Sequence, residues 1–188
     1  MLQKALEVID AEGYAAASVT RIAEAAGISK TGLLHHFGSK ENLFTEVLRM
    51  RDELDDSHFQ GPGLTLTESE DAYLDLVARN SKIPGLVELF TRLSVEATDP
   101  DHPAREFFLR RNAELGQRIA DRAAESMKDR QLDAIDPDMV ALLLLAATDG
   151  LQSRWLLNPE IDMKEALATL FRIFHLALEN PQHLNQAD

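Results

Sequence analysis

Along the first fifty residues apolar side chains return at helical spacing and are cut by glycines. Leu2, Ala5, Leu6 and Ile9 form an i, i+3, i+4, i+7 stripe that stops at Gly13, the signature of a helix with one buried face. Ser18 can cap a second, short helix whose Ile22, Ala23 and Ala26 turn inward, and Gly27 stands where a helix ends,. Ser29 or Lys30 opens a third, carrying Leu33 and Phe37, before a break at Gly38 and Ser39. Ser39 caps a fourth with Leu43, Phe44, Val47 and Leu48 in its stripe. After Arg51 the register loosens. "SHFQGPGLTLTES", Ser57 to Ser69, reads as a linker, because Gly61, Pro62 and Gly63 do not continue a helix,.

Beyond that break the pattern predicts a helix from Glu68 to Asn80 and another from Pro84 to about Thr98. Proline suits the first turn of the second of these. "DPDHP", Asp99 to Pro103, interrupts it, and a long helix follows from about Pro103 to Asp129. Asp136 and Pro137 make a cap and first-turn pair for a helix that ends at Asn158 and Pro159, and Asp162 with Glu165 forms a capping pattern for the last,. The chain therefore reads as all-α with about nine helices, without strand alternation or repeats. In the last helix Met163, Ala166, Leu167, Leu170, Phe171, Phe174, Ala177 and Leu178 form an unbroken stripe, and its predecessor is apolar on nearly every side from Val140 to Ala147. A helix of that kind must be covered all round, by its own domain or also by a second subunit.

Composition narrows the function. A chain of 188 residues can bury a core, and cysteine is absent, which excludes a disulfide, a zinc-thiolate site or a cysteine nucleophile and makes a cytoplasmic location the default. The longest apolar run, Met139 to Ala147, is nine residues, short of the roughly 20 a membrane span needs. The start carries three acids among its first twelve residues and lacks the form of a secretion signal, so a soluble, unexported protein is expected. The net charge of −13 argues at first against a nucleic-acid partner,. However, residues 1–51 hold six Lys/Arg and six acids, so the whole deficit belongs to residues 52–188. An acidic body joined to a neutral segment approaches DNA only if the body is held away and the segment's bases face one way.

"GISKTGLLHHFGSKENLF", residues 27–44, raises the question of chemistry. His35 and His36 are adjacent, so on a helix they point about 100° apart and do not share one ion. The i, i+4 ligand spacing is missing, as is any G-x-S-x-G around a serine,. No enzyme activity, metal or cofactor is expected. By contrast, two short helices, Ser18 to Ala26 and Ser29 to Phe37, joined by a tight turn at Gly27, form a helix-turn-helix. The second helix of that unit enters the major groove with its N-terminal residues nearest the base edges. Ala23 is small where the two helices meet, and Ile28, Leu33 and Phe37 can anchor the second on its neighbours. Lys30, Thr31, Gly32, His35 and His36 are left for the outer surface.

At these residues, "SVTRIAEAAGISKTGLLHHFGSKENLF", the chain resembles the TetR family of transcriptional regulators. The likeness is close over residues 1 to about 50 and extends beyond only as a pattern of helices. It implies an N-terminal three-helix DNA-binding domain (1–50) with the helix-turn-helix, and a larger C-terminal helical domain (51–188) for effector binding and dimerisation. Ser18 and Lys40 match positions that hold phosphates, and Thr20 one that often reads a base. Lys30, Thr31 and Gly32 open the recognition helix, with His35 and His36 further along. The plainer readings are Ser18 as a simple cap, Lys40 as a solvated lysine and the histidines as bystanders. Leu34 departs from the family's tyrosine and loses a phosphate hydrogen bond of about 1 kcal/mol. The sequence opens on the first helix, so contacts from a basic arm are not expected.

The resemblance also implies a homodimer through the last two helices and an effector cavity among the middle ones. Phe90, Phe107, Phe108 and Trp155 are candidates to line that cavity, with Arg111, Asp149 or Gln152 as orienting groups, although each suits an ordinary core or solvated role. The implied protein is a ligand-responsive dimeric repressor on a palindromic double-stranded DNA operator, released by a small-molecule effector. Two-fold symmetry would set the recognition helices roughly 34 to 36 Å apart. The alternative is a helical dimeric ligand-binding or interaction module with weak or no DNA binding.

Overall fold

The computed structural model describes residues 1–59, 66–128 and 135–179, and everything described is helix, turn or loop. The helices are α1 (Leu2–Glu12), α2 (Val19–Ala26), α3 (Lys30–Phe37), α4 (Lys40–Phe59), α5 (Leu66–Asn80), α6 (Pro84–Glu96), α7 (Arg105–Lys128), α8 (Pro137–Leu157) and α9 (Met163–Glu179). The expected linker is smaller than its composition suggests. Ser57 to Phe59 continue α4, Leu66 to Ser69 belong to α5, and the Gly61–Pro62–Gly63 break lies outside the described residues. Asp129, expected to close the long helix, lies outside them as well.

The chain divides into two compact units, Met1–Gln60 with Arg79–Arg110, and Gly61–Ala78 with Arg111–Asp188. The boundary expected after residue 50 does not coincide with them. α6 and the first turn of α7 share the core of α1 to α4: Ile9, Ile22, Leu33, Phe44 and Val47 are sealed together with Leu86, Leu89 and Leu93. Gly85 makes this joint possible, because a Cβ there would stand 2.4 Å from the Asp10 Cα and 2.5 Å from the Ile9 carbonyl oxygen. The Gly85 amide donates to the Asp10 Oδ1 at 3.0 Å, so α1 caps the start of α6, which its own Ile83 does not. Such long-range packing leaves no local mark on the sequence.

In the second unit Tyr73 is buried and meets the Thr148 hydroxyl at 2.7 Å. Thr148 sends its own hydrogen to the Leu144 carbonyl at 2.9 Å, which leaves Tyr73 as the donor of the pair,. Burial raises the Tyr73 phenol above its ordinary value. α9 is tied to α5 by His175, whose Nε2 lies 2.9 Å from Glu70, and by Lys164, 2.7 Å from Asp75. α8 buries only Ala141, Leu144 and Thr148 and exposes Met139, Leu142, Leu143 and Leu157. By length and composition α8 is long and apolar enough to cross a membrane, with a mean hydropathy of 1.2 over its best window and 17% of that window buried. The nine-residue run had understated it, since single charges at Asp149 and Arg154 interrupt the run without making the helix polar.

Candidate nucleic-acid interface

Three serines start the three helices of this region. The hydroxyls of Ser18, Ser29 and Ser39 accept from the amides of Arg21, Gly32 and Asn42 at 3.2, 3.0 and 3.0 Å. Each cap satisfies the third amide of its helix and leaves the first two directed along the axis, outward from the N-terminus. Between α2 and α3 the chain turns on Gly27, at φ 68° and ψ 28°, whose amide returns to Ala23 and Glu24 while Ile28 N–H reaches the Ala23 carbonyl at 3.0 Å. This is a left-handed helix stop, and a side chain at position 27 would meet no neighbour within 4 Å, so only the backbone demands glycine,.

α3 is split cleanly by burial. Leu33 is fully sealed and Phe37 is packed against the core. Ile28, expected to be a third anchor, lies at the surface with 36% exposure, because the Gly27 turn directs it outward. Lys30, Thr31, Gly32, His35 and His36 are all exposed, as is Thr20 on α2. The His36 ring meets Phe37 edge-on at 4.5 Å. Gly32 leaves room for the cap, since a Cβ there would stand 3.1 Å from the Ser29 hydroxyl. Leu34 is half-buried.

Charge pairing separates the cations of this region. Lys4 pairs with Glu7, Arg21 with Glu12 and Glu24, Arg49 with Glu46, and Arg51 with Asp55. Among the described residues, Lys30 and Lys40 are the two basic side chains of residues 1–51 without a carboxylate partner. A cation left unneutralised at a surface is available to a phosphate. Lys30 is exposed. Lys40 is half-buried, with its ammonium 5.4 Å from the centre of the Tyr14 ring and 4.9 Å from that of Phe44. Tyr14, which sequence reasoning passed over, donates its hydroxyl to Glu96 at 2.7 Å and its amide to Glu88 at 3.1 Å. Burial first, and the bond to Glu96 second, raise the phenol above its ordinary value, so it remains a donor.

The seven residues expected at an effector cavity are not gathered in one unit. Phe107 and Phe108 belong to the core of the first, where Phe108 meets Phe90 at 5.3 Å and Phe107 at 5.1 Å. Arg111, Asp149, Gln152 and Trp155 belong to the second. There Gln152 has a buried Oε1 without a hydrogen-bond partner among the described residues. Asp149 is exposed, yet desolvation by the surrounding protein raises its carboxyl above the usual range, and Arg111 opposes that shift. Among the described residues no group of three or more His, Cys, Asp or Glu side chains is arranged to hold a metal ion.

Residues 1–47 match the family model for bacterial regulatory proteins of the tetR family. Over 49 residues the chain is 43% identical to the HTH-type transcriptional repressor AcnR of Corynebacterium glutamicum. Over 49 residues it is 45% identical to the HTH-type transcriptional regulator RutR of Escherichia coli K12. These matches span about a quarter of this chain and of each relative: 26% of both for the first, 26% and 23% for the second. The whole fold is shared more widely. A candidate TetR-family transcriptional regulator from Rhodococcus sp. superimposes with a TM-score of 0.74 at 22% identity, covering 94% of this chain and 96% of that one. A transcriptional regulator from Rhodococcus sp. Rha1 does so with 0.69 at 20%, covering 88% and 89%.

Proposed function

We propose that this chain, whose residues 1–47 match the family model for bacterial regulatory proteins of the tetR family, is a dimeric, effector-responsive repressor of transcription that binds a palindromic operator. The observation that carries the DNA reading is the exposure of Lys30, Thr31, Gly32, His35 and His36 on α3, with Lys30 and Lys40 the two Lys/Arg side chains of residues 1–51 that have no carboxylate partner among the described residues. Lys30, Thr31, His35 and His36 meet base edges and nearby phosphates in the major groove, and Thr20 adds a base contact from α2. Ser18 and Lys40 stand at the starts of α2 and α4, where backbone amides and an ammonium receive phosphates.

The dimer reading is supported by the exposed apolar residues of α8, together with Ile173 and Leu176 of α9, which are 58% and 59% exposed. The occupant that suits them is a second copy of the chain, since α8 also exposes Asp138, Asp149 and Arg154, which a lipid environment would penalise. The effector is proposed to bind in the second unit, with Arg111, Asp149 and Gln152 as polar groups and Trp155 as an apolar wall. A cytoplasmic location and the absence of enzyme activity follow from the same reading.

Selection of genomic fragments with the purified full chain tests this. A half-site repeat spaced by about one turn of DNA, bound by a dimer whose affinity falls steeply with salt, is the expected result. Binding that shows no sequence preference and no salt dependence would instead favour an interaction module.

A further inference from the structure

We propose that Tyr14 is a positioning residue for Lys40, and that α6 acts through Tyr14 to set where the Lys40 ammonium stands. This rests on the reading that Lys40 meets a DNA phosphate. Lys40 has no carboxylate partner among the described residues, and its ammonium lies over two rings, those of Phe44 and Tyr14, whose centres are 5.4 Å apart. Phe44 is fixed in the core at 1% exposure. Tyr14 is half-buried and packs at the margin of that core. It lies in the connection between α1 and α2, just after Gly13, whose φ of 78° turns the chain there.

What grips the polar groups of Tyr14 is α6. Glu88 accepts its amide hydrogen at 3.1 Å and Glu96 its hydroxyl hydrogen at 2.7 Å, so one residue is gripped at backbone and tip by two carboxylates about 12 Å apart along the helix,. Arg92 lies between them in sequence. It donates to Glu88 at 2.8 Å and places its guanidinium 5.7 Å from the centre of the same ring. One aromatic face system thus serves a cation from the DNA-reading helices and a cation from α6. Cation attraction to a ring falls away when the cation leaves its face. A shift of α6 therefore carries the ring with it and leaves the ammonium on Phe44 alone, re-aimed relative to the start of α4. The lysine's aim is thereby set by α6 through the tyrosine ring.

The test uses the full chain, a random-sequence DNA duplex as probe, and five variants, with thermal melts confirming that each is folded. K40A and Y14L are each expected to weaken binding about three- to tenfold, and Y14L/K40A to be no weaker than K40A alone. E96A and E96Q remove the same charge, but glutamine still accepts the tyrosine hydrogen. E96A is therefore expected to bind about two- to threefold more weakly than E96Q. In the free protein, NMR should show the Lys40 ε-methylene protons shifted upfield by the rings, with the shift reduced in Y14L and E96A and retained in E96Q. Equal affinity of E96A and E96Q, or Y14L and K40A effects that simply add, would overturn the link while leaving the DNA reading intact. K40A binding as tightly as the parent would remove the phosphate role itself, and this proposal with it.

Discussion

α3 and α8 both leave one side open to solvent, and they do so with opposite chemistry. α3 sinks Leu33 and shows an ammonium, a hydroxyl and two imidazoles, whereas α8 sinks a narrow strip and shows Met139, Leu142, Leu143 and Leu157. α3 is short and depends on its neighbours for stability, since a lone helix of eight residues is marginal in water,. α8 has 21 residues and carries more apolar surface than its own chain covers. The lesson is that an exposed face is informative when its composition departs from what solvent alone would favour. On α3 the departure is the lack of acidic partners for Lys30. On α8 it is the presence of leucines.

The largest expected effect lies beneath the α3 surface. Leu33→Ala empties a site of 0% exposure and should destabilise the protein by about 2 to 5 kcal/mol, read by chemical denaturation,. A native-like midpoint would mean that α3 is not anchored as described. Next comes Leu143→Glu on α8. The side chain is 68% exposed, so the isolated chain should fold, while sedimentation should show monomers and affinity for a palindromic duplex should fall by roughly tenfold or more,. A variant that remained dimeric would move the interface elsewhere.

Smaller effects separate the roles within α3 and α2. Lys30→Ala and His36→Ala should each cost about 1 to 3 kcal/mol of binding to a selected operator without changing the melting temperature. If neither changes binding, the exposed face of α3 is not the reading surface. Smallest is Ser18→Ala, which removes the α2 cap at a cost of about 1 kcal/mol in stability,. Ser18→Asp sharpens the point, because aspartate caps as well as serine but repels phosphate. Preserved stability with weakened duplex binding marks Ser18 as a phosphate neighbour, and preserved binding marks it as a cap alone.

What the sequence disclosed follows the range of the forces involved. Ser18, Ser29 and Ser39 were legible as caps because each hydroxyl reaches an amide only three residues away. The end of α2 was legible because a left-handed residue favours glycine. The expected linker at Ser57 to Ser69 was drawn too long at both ends, since α4 runs on to Phe59 and α5 starts at Leu66. Tyr14 was missed altogether because its partners Glu88 and Glu96 lie 74 and 82 residues away. Phe107 and Phe108 were offered as cavity lining, yet they pack at 5% and 6% exposure in the core around α1 to α4, since an aromatic residue in sequence does not declare which core it joins.

The contact at Gly85 bears on how such a reading head is transplanted. With the α6 backbone pressed onto Asp10 and Ile9 too closely for any larger residue, a chimera cut at residue 50 would carry α1 away from the surface that completes it and bare Leu6 and Ile9 to water. The natural cassette for swapping is residues 1–60 taken together with 79–110. Grafts onto foreign bodies should keep α6 with its own α1, or supply a substitute helix with glycine at the point of crossing.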